Sequence, residues 1–225
     1  MSISNCLPNL IIPGAGKSGT SSLHRYLNLH PDIYMTENKE PFFFYRDKLY
    51  HNEKEWYKSL FEPGADKKYR GESSTAYLSH PTSIERMKND LPDPRFIILL
   101  RNPVERIISH YFWLKGKGLE HRSLKDAVMY DKDYDITEHY HIRKHGKCYL
   151  QFSYYAKWVK IYYDVFGKEN VLILTTESLK NKPLETLNQC FDFLELPAMK
   201  DISLEKEYNV TINRDIPGWD AKILY

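Results

Sequence analysis

The residues with the clearest chemical potential form a glycine-rich segment near the N-terminus, Gly14-Ala15-Gly16-Lys17-Ser18-Gly19-Thr20-Ser21-Ser22. Backbone N–H groups in such a turn bind anions, particularly where the turn leads into the positive end of a helix. Lys17 adds a positive charge, and Ser18, Thr20, Ser21 and Ser22 add hydroxyl donors. The segment therefore predicts an anion-binding site.

A second candidate anion site begins at Arg101. The preceding residues, Phe96-Ile97-Ile98-Leu99-Leu100, form the continuous apolar run that is expected of a parallel strand buried on both faces. Asn102 and Pro103 then predict the N-cap and first position of a helix. Because open α/β sheets bind ligands at the carboxyl ends of their strands, Arg101 is well placed to contact a second anionic group.

A magnesium-dependent nucleotide kinase is the main alternative, since Gly16-Lys17-Ser18 matches the last three letters of the Walker A motif. That motif also requires a glycine at position 11, which is Ile11 here. In P-loop NTPases the second strand usually ends in an Asp that binds magnesium, whereas this one runs into Arg101. A kinase would therefore have an atypical P-loop, and we expect anion binding without a metal.

The two segments together resemble the PAPS-dependent sulfotransferases (PAPS is 3′-phosphoadenosine-5′-phosphosulfate), particularly the branch of heparan sulfate and related carbohydrate enzymes and its bacterial members. Pro13 to Leu23 resembles the 5′-phosphosulfate loop, and Arg101 to Tyr111 resembles the 3′-phosphate motif, in which an Arg and a Ser eight residues later contact the phosphate. The resemblance runs from about Pro8 to at least Leu196. It implies PAPS contacts from Gly16, Lys17, Ser18, Gly19, Thr20, Ser21, Ser22, Arg101 and Ser109.

Three further segments match the family less tightly. Lys39 to Phe43 resembles a Glu-x-x-Phe-Phe segment whose Glu is the proposed catalytic base. The resemblance implies that Glu40 is catalytic together with Lys17. Glu37 and the histidines remain competitors for the base. Gly71 to Tyr77 resembles a Glu-Lys-x-x-x-Tyr segment, but Ser73 stands where the heparan branch has an active-site lysine. Gly146 to Tyr149 resembles a segment near the nucleotide, which implies that Lys147 and Tyr149 contact it.

The resemblance implies transfer of a sulfuryl group from PAPS to a hydroxyl or amine, with release of PAP (3′-phosphoadenosine-5′-phosphate). The acceptor would be a carbohydrate or another small metabolite. A non-enzymatic alternative is a PAP- or phosphate-binding module that keeps the fold without the chemistry, and the departure at Ser73 favours it.

The elements around these motifs alternate between strand and helix, which predicts an α/β, P-loop-like three-layer fold with a central parallel sheet flanked by helices. Residues 116 to 147 are polar apart from a short predicted helix, and we expect an excursion over the active-site mouth. The other predicted elements are strands at Leu10–Ile12, Tyr69–Glu72 and Val171–Leu174, and helices at Thr20–Leu29, Thr82–Asp90, Ser123–Tyr130, Tyr149–Phe166 and Pro183–Leu194.

Bulk composition sets the remaining expectations. The 225 residues, 42% of them hydrophobic, suit one domain over 1–225. The family usually carries further elements near its C-terminus, so the resemblance implies a short or a truncated member. With 32 basic and 30 acidic residues, nothing favours nucleic acid as a partner. The three cysteines, which lack metal-site spacing, predict free thiols. No segment reaches the roughly 20 apolar residues of a membrane span, so a cytoplasmic location is expected.

Overall fold

The sheet at the centre of the fold has five parallel strands. A computed structural model describes residues 6–132 and 148–201. The strands run in the spatial order β2-β3-β1-β4-β5, and every neighbouring pair is parallel. Their bounds are β1 Leu10–Ile12, β2 Ile33–Met35, β3 Tyr69–Ser73, β4 Arg95–Leu100 and β5 Val171–Thr175.

Helices cover both faces of this sheet. Within the described residues they are α1 Thr20–Leu27, α2 Asp47–Asn52, α3 Lys54–Ser59, α4 Pro81–Asp90, α5 Pro103–Gly116, α6 Leu124–Asp131, α7 Tyr155–Phe166, α8 Thr176–Asn181 and α9 Pro183–Phe193. None of these helices is long and apolar enough to cross a membrane.

The core confirms the predicted three-layer α/β fold. Successive side chains of β4 point to opposite faces of the sheet, as the pleat requires. Phe96 and Ile98 pack in one buried cluster with α4 and α7, whereas Ile97 and Leu99 pack in the other with α1 and α9. Each cluster is buried, so the sheet is covered on both sides, which explains the unbroken apolar run of this strand.

The long helix predicted from Tyr149 begins six residues late, at Tyr155. In a continuous helix the Tyr149 carbonyl would accept from the N–H of Ser153, but here that carbonyl accepts from the Arg106 guanidinium and from Ser153 Oγ. The Ser153 N–H instead donates to Leu150 O, so residues 151–153 form a 3₁₀ turn. The apolar stripe therefore predicted α7 correctly from Tyr155 to Phe166, and a buried tertiary contact from Arg106 delays the start of the helix.

Four short elements were not predicted: β2, α2, α3 and α8. Each has three to six residues. Segments of this length show too few repeats of the helical or strand period to be recognised without a motif beside them, such as the glycine loop that follows the equally short β1. The prediction of one domain over 1–225 includes residues outside the described ranges and stays a prediction.

Candidate active site

The glycine loop lies between β1 and α1 and is hydrogen-bonded to β4 and to the segment that follows β3. The Ala15 N–H donates to Leu99 O at 2.8 Å, and the Leu99 N–H donates to Gly14 O at 2.9 Å. On the other side, the Leu78 N–H donates to Pro13 O at 2.8 Å. A Cβ on Gly14 would lie 2.7 Å from Leu78 Cβ, so only glycine fits there. The loop is thus held rigidly at the carboxyl edge of the sheet.

The centre of the loop has the backbone geometry of an anion site. Lys17 and Gly19 have φ angles of 71° and 85°, in the left-handed region. Left-handed residues that alternate with right-handed ones turn successive N–H groups to one side and form an anion-binding nest. For a non-glycine residue such as Lys17 this conformation costs about 1–3 kcal/mol, and residues of this kind cluster at ligand-binding and catalytic sites.

Ser18 gives independent support for a ligand at the loop. The Ser18 side chain is fully buried, and its Oγ has no hydrogen-bond partner among the residues that the structure describes. The buried hydroxyl of Tyr155 lies close to Ser18 and to the Arg101 backbone, but it meets hydrogen-bond geometry with neither. Each unsatisfied buried polar group costs about 1–3 kcal/mol, a cost that a bound anion accepting from them would remove. The Ser18 hydroxyl and the loop therefore fit a phosphate or sulfate group.

Arg101 connects the two predicted anion motifs. Its Nη1 donates to Lys17 O at 3.4 Å, and its Nε and Nη2 both bond Glu105 Oε2, at 3.1 and 2.9 Å. Asn102 caps α5 as predicted, since its Oδ1 accepts from the N–H groups of Val104 and Glu105. The cap fixes the direction in which α5 leaves β4, so Arg101 faces the glycine loop.

Ser109 and Trp113 lie on the helical face that begins at Glu105, at intervals of four residues. Ser109 is half-buried. The Lys17 ammonium lies 5.4 Å from the centre of the Trp113 ring, and the Lys117 ammonium lies 3.9 Å from it. This face of α5 therefore lies beside the glycine loop.

Tyr149 is placed differently from a typical ligand contact. Its side chain is fully buried, and its hydroxyl donates to Glu120 Oε2 at 2.8 Å. Glu120 also pairs with Arg122 at 2.6 Å, which holds the pKa of this carboxyl at about 2. Tyr149 thus ties the start of the second described segment to the loop after α5. The predicted Lys147 contact lies outside the described residues, and direct contacts from either residue stay predictions.

Glu40 lies in the loop that follows β2 and reaches the glycine loop through Thr75. Its two carboxylate oxygens accept from the N–H and the hydroxyl of Thr75, both at 3.0 Å. A Cβ on Gly16 would lie 3.6 Å from Thr75 Oγ1, so Thr75 packs directly against the loop. Burial raises the pKa of Glu40 above its ordinary value, and the neighbouring Lys39 partly offsets that rise. A carboxylate with a raised pKa is suited to accept a proton near neutral pH.

Lys39 belongs to the site, although the sequence analysis assigned it no role. Its ammonium donates to Thr20 Oγ1 at 3.2 Å and to Ser21 Oγ at 2.9 Å, both in the first turn of α1. Burial lowers the pKa of Lys39, and the Glu40 carboxylate opposes the shift. The sequence signal for this lysine was its position next to Glu40; its reach across to α1 depends on the fold.

Ser73 is held by a buried histidine. His24 Nε2 lies 2.9 Å from Thr36 O, which can only accept, so this nitrogen carries the hydrogen. Burial lowers the pKa of His24 to about 4, so the ring is neutral and its Nδ1 accepts from the Ser73 hydroxyl at 2.7 Å. The position that carries a lysine in the heparan branch is therefore occupied here by a packed, neutral pair.

All five strands contribute to one edge of the sheet. Thr176, directly after β5, has its hydroxyl 2.7 Å from Ser18 O and 2.9 Å from Leu100 O. The other four strands are followed at the same edge by further site residues: the glycine loop after β1, Lys39 and Glu40 after β2, Thr75 after β3 and Arg101 after β4. Within residues 6–132 and 148–201, no three His, Cys, Asp or Glu side chains cluster in a way that could hold a metal ion.

Comparison with known proteins identifies the family to which the chain belongs. The family model for the sulfotransferase domain matches residues 7–213. Human heparan sulfate glucosamine 3-O-sulfotransferase 6 is 36% identical over 217 residues, which cover 93% of this chain and 58% of that protein. The chain spans about half the length of several other curated relatives.

Solved structures show the same fold. A sulfotransferase from Alicyclobacillus acidocaldarius superimposes with a TM-score of 0.76 at 32% identity, covering 90% of this chain and 87% of that one. Mouse sulfotransferase SULT7A1, solved in complex with PAP, superimposes with a TM-score of 0.56 over 85% of this chain and 60% of that one. At 15% identity, this second match is evidence for the fold alone.

Proposed function

This chain belongs to the sulfotransferase domain family, and we propose that it transfers a sulfuryl group from PAPS to a hydroxyl or amine of an acceptor and releases PAP. The observation that carries the proposal is the contact between Arg101 Nη1 and Lys17 O. It joins the two anion motifs, which lie 84 residues apart in sequence, at one edge of the sheet. A donor with phosphate groups at both its 3′ and 5′ positions needs two such sites side by side.

In this assignment, the glycine loop and the first turn of α1 bind the 5′-phosphosulfate, and Arg101 and Ser109 bind the 3′-phosphate. The unpartnered Ser18 hydroxyl supports the first part of the assignment. Glu105, which pairs with Arg101, fixes the guanidinium on the side facing the loop. PAPS supplies the activated sulfuryl group for the reaction.

The transfer breaks the bond between sulfur and the oxygen that bridges to the 5′-phosphate, and it forms a bond between sulfur and the acceptor atom. Lys17 and the loop N–H groups stabilise the charge that develops on the bridging oxygen. Lys39 adds a second cation at Thr20 and Ser21. Glu40 takes the proton that the acceptor loses. The residues thereby position the reactants and stabilise charge, without covalent participation of the protein.

Arg101→Ala is expected to weaken PAP binding roughly 10- to 150-fold, because hydrogen bonds to charged groups contribute about 1.5–3 kcal/mol. The measurement is isothermal titration of PAP in buffer with EDTA. Arg95→Ala is the matched control, since Arg95 lies at the opposite end of β4 and bonds Glu169 O and Asn170. PAP binding that needs magnesium, or ATP binding in preference to PAP, would favour the atypical kinase instead.

Lys39→Ala is expected to lower turnover by roughly 10- to 150-fold through the loss of one charged donor at the first turn of α1. The rate is followed as PAP released from PAPS with one fixed acceptor. Lys48→Ala, at an exposed position in α2, controls for the loss of a lysine charge. Equal rates for the two variants would remove Lys39 from the mechanism.

We propose a carbohydrate acceptor, because the chain matches a heparan sulfate glucosamine 3-O-sulfotransferase over most of its own length. The serine at position 73 argues against adopting that relative's specificity unchanged, so the panel should contain glucosamine-containing oligosaccharides, neutral sugars and phenols. PAP binding without transfer to any acceptor, or to water, would favour the binding module. The cytoplasmic location stays a prediction.

A further inference from the structure

A buried carboxylate under the loop that carries Glu40 has no part in the mechanism above. We propose that Glu72 is a positioning residue, which holds the segment from Lys39 to Tyr45 in place through the hydroxyls of Ser74 and Tyr77. This inference rests on the proposed function, because the segment contains the proposed base.

Glu72, in β3, is fully buried and accepts three hydroxyl hydrogen bonds. Tyr57 and Tyr77 both donate to its Oε1 at 2.9 Å, and Ser74 donates to its Oε2 at 2.7 Å. A buried carboxylate is costly unless its oxygens are satisfied in this way. Three donors on one carboxylate fix the direction of each hydroxyl hydrogen.

Two of these hydroxyls also accept from the loop. The Phe42 N–H donates to Ser74 Oγ at 3.1 Å, and the Phe44 N–H donates to the Tyr77 hydroxyl at 3.2 Å. A serine or tyrosine hydroxyl has a single hydrogen. Because each hydroxyl donates its hydrogen bond to Glu72, the lone pairs of Ser74 Oγ and of the Tyr77 hydroxyl oxygen are free to accept from the loop N–H groups. The Glu40 N–H completes the row with a 2.8 Å bond to Ser73 O.

The loop needs such anchors because its own conformation is unfavourable. Glu40 and Phe42 have φ angles of 61° and 55°, in the left-handed region. Each costs about 1–3 kcal/mol and persists only where the surroundings hold it. Hydrogen bonds from the N–H groups of residues 40, 42 and 44 to the end of β3 and to the segment that follows it hold the loop in this conformation.

The pKa of Glu72 gives the proposal a pH signature. Burial raises this pKa to about 7, against the lowering effect of the three hydroxyls. The other titratable groups that interact with it are Lys39 and Glu40 from the loop, Tyr57 from α3, Tyr77, and Tyr162 from α7. A proton on Glu72 turns one acceptor into a donor, so one of the three hydroxyls must reorient.

Protonation of Glu72 is expected to loosen the loop but to increase the stability of the fold as a whole. A carboxyl whose pKa is raised in the folded state binds its proton more tightly there than in the unfolded chain, so this group adds stability as the pH falls from about 7 towards its ordinary range. We therefore expect the loop to loosen below pH 7 while this group favours the folded state. General acid unfolding would instead loosen the loop and destabilise the whole fold together.

The decisive comparison is Tyr77→Phe against Tyr57→Phe. Both side chains are fully buried and both donate to the same oxygen of Glu72 at 2.9 Å, but only the Tyr77 hydroxyl accepts from the loop. Hydrogen–deuterium exchange of a peptide covering residues 39–45 is the direct measurement. It needs neither PAPS nor an acceptor.

Tyr77→Phe is expected to speed this exchange by roughly tenfold over Tyr57→Phe, as the loss of one hydrogen bond implies, and to lower kcat more than Tyr57→Phe does. PAP affinity should stay within about twofold in both, because neither hydroxyl touches the glycine loop or α5. Equal exchange and equal kcat in the two variants would overturn the proposal.

Glu72→Gln tests the carboxylate itself. At pH 8 its loop should exchange faster than in the wild type, and the difference in exchange between pH 6 and pH 8, after correction for intrinsic rates, should be smaller than in the wild type, because Glu40 is then the remaining carboxyl with a raised pKa in the loop. If the loop of Glu72→Gln is as well protected from exchange at pH 8 as that of the wild type, the proposed role of Glu72 is refuted. If this variant does not fold, Ser74→Ala is the alternative: it removes the acceptor of the Phe42 N–H together with one of the three donors to Glu72, leaves the two tyrosine donors in place, and is also expected to speed exchange of the loop. Loss of transfer in Glu40→Gln is a separate outcome, so failure of the proposed function is distinguishable from failure of this inference.

Discussion

Replacing Glu40 by glutamine is expected to lower turnover by roughly 10²- to 10⁴-fold, the range typical of a lost general base. Glutamine keeps the size of the side chain and one oxygen that can accept from Thr75, so the loop should keep its shape. What it loses is the ability to take the acceptor proton. Because burial raises the pKa of Glu40, activity should rise with pH through a midpoint above the ordinary carboxyl range.

The measurement is the pH profile of kcat/KM with PAPS and one fixed acceptor, together with PAP affinity. The acid limb that belongs to Glu40 should disappear in Glu40→Gln, while PAP binding stays unchanged. Glu37→Gln is the matched control, because Glu37 is an exposed carboxylate in the same loop and the main competitor for the base. A large loss in Glu37→Gln with normal activity in Glu40→Gln would reassign the base.

Replacing Lys17 by alanine is expected to lower turnover by roughly 10²- to 10³-fold, which corresponds to about 2.7–4 kcal/mol of lost electrostatic stabilisation. Lys17 is at the centre of the glycine loop, and its carbonyl already contacts Arg101. Its ammonium lies beside Trp113 on α5. Under the proposed binding of the 5′-phosphosulfate by the glycine loop, Lys17 stabilises the negative charge that develops on the departing bridging oxygen.

The loss should fall mainly on kcat, since the charge that Lys17 stabilises develops only in the transition state. Single-turnover rates with PAPS separate this effect from binding. Lys117→Ala is the control, because Lys117 also lies over the Trp113 ring but is outside the loop. Near-normal turnover in Lys17→Ala would contradict the mechanism.

Much of the fold was readable from the sequence because the signals are local. The apolar run at residues 96–100 became β4, and Asn102 and Pro103 started α5 where predicted. Errors appeared where tertiary contacts compete with local preference. The Arg106 guanidinium donates a hydrogen bond to the Tyr149 carbonyl, so α7 starts only at Tyr155. Three-residue β2 forms because β3 pairs with it, and its own sequence carries too little pattern.

The sequence by itself determined the family and the two anion motifs, Gly14 to Ser22 and Arg101 to Ser109, because each motif is a turn and one helix whose chemistry lies within a few residues. Only the tertiary structure decided how the motifs meet. With β1 between β3 and β4, the glycine loop lies next to both Arg101 and Thr75. Strand order also brings Lys39 to the first turn of α1 and places Glu72 beneath the loop of Glu40. These contacts join residues far apart in the chain, so no local pattern could have predicted them.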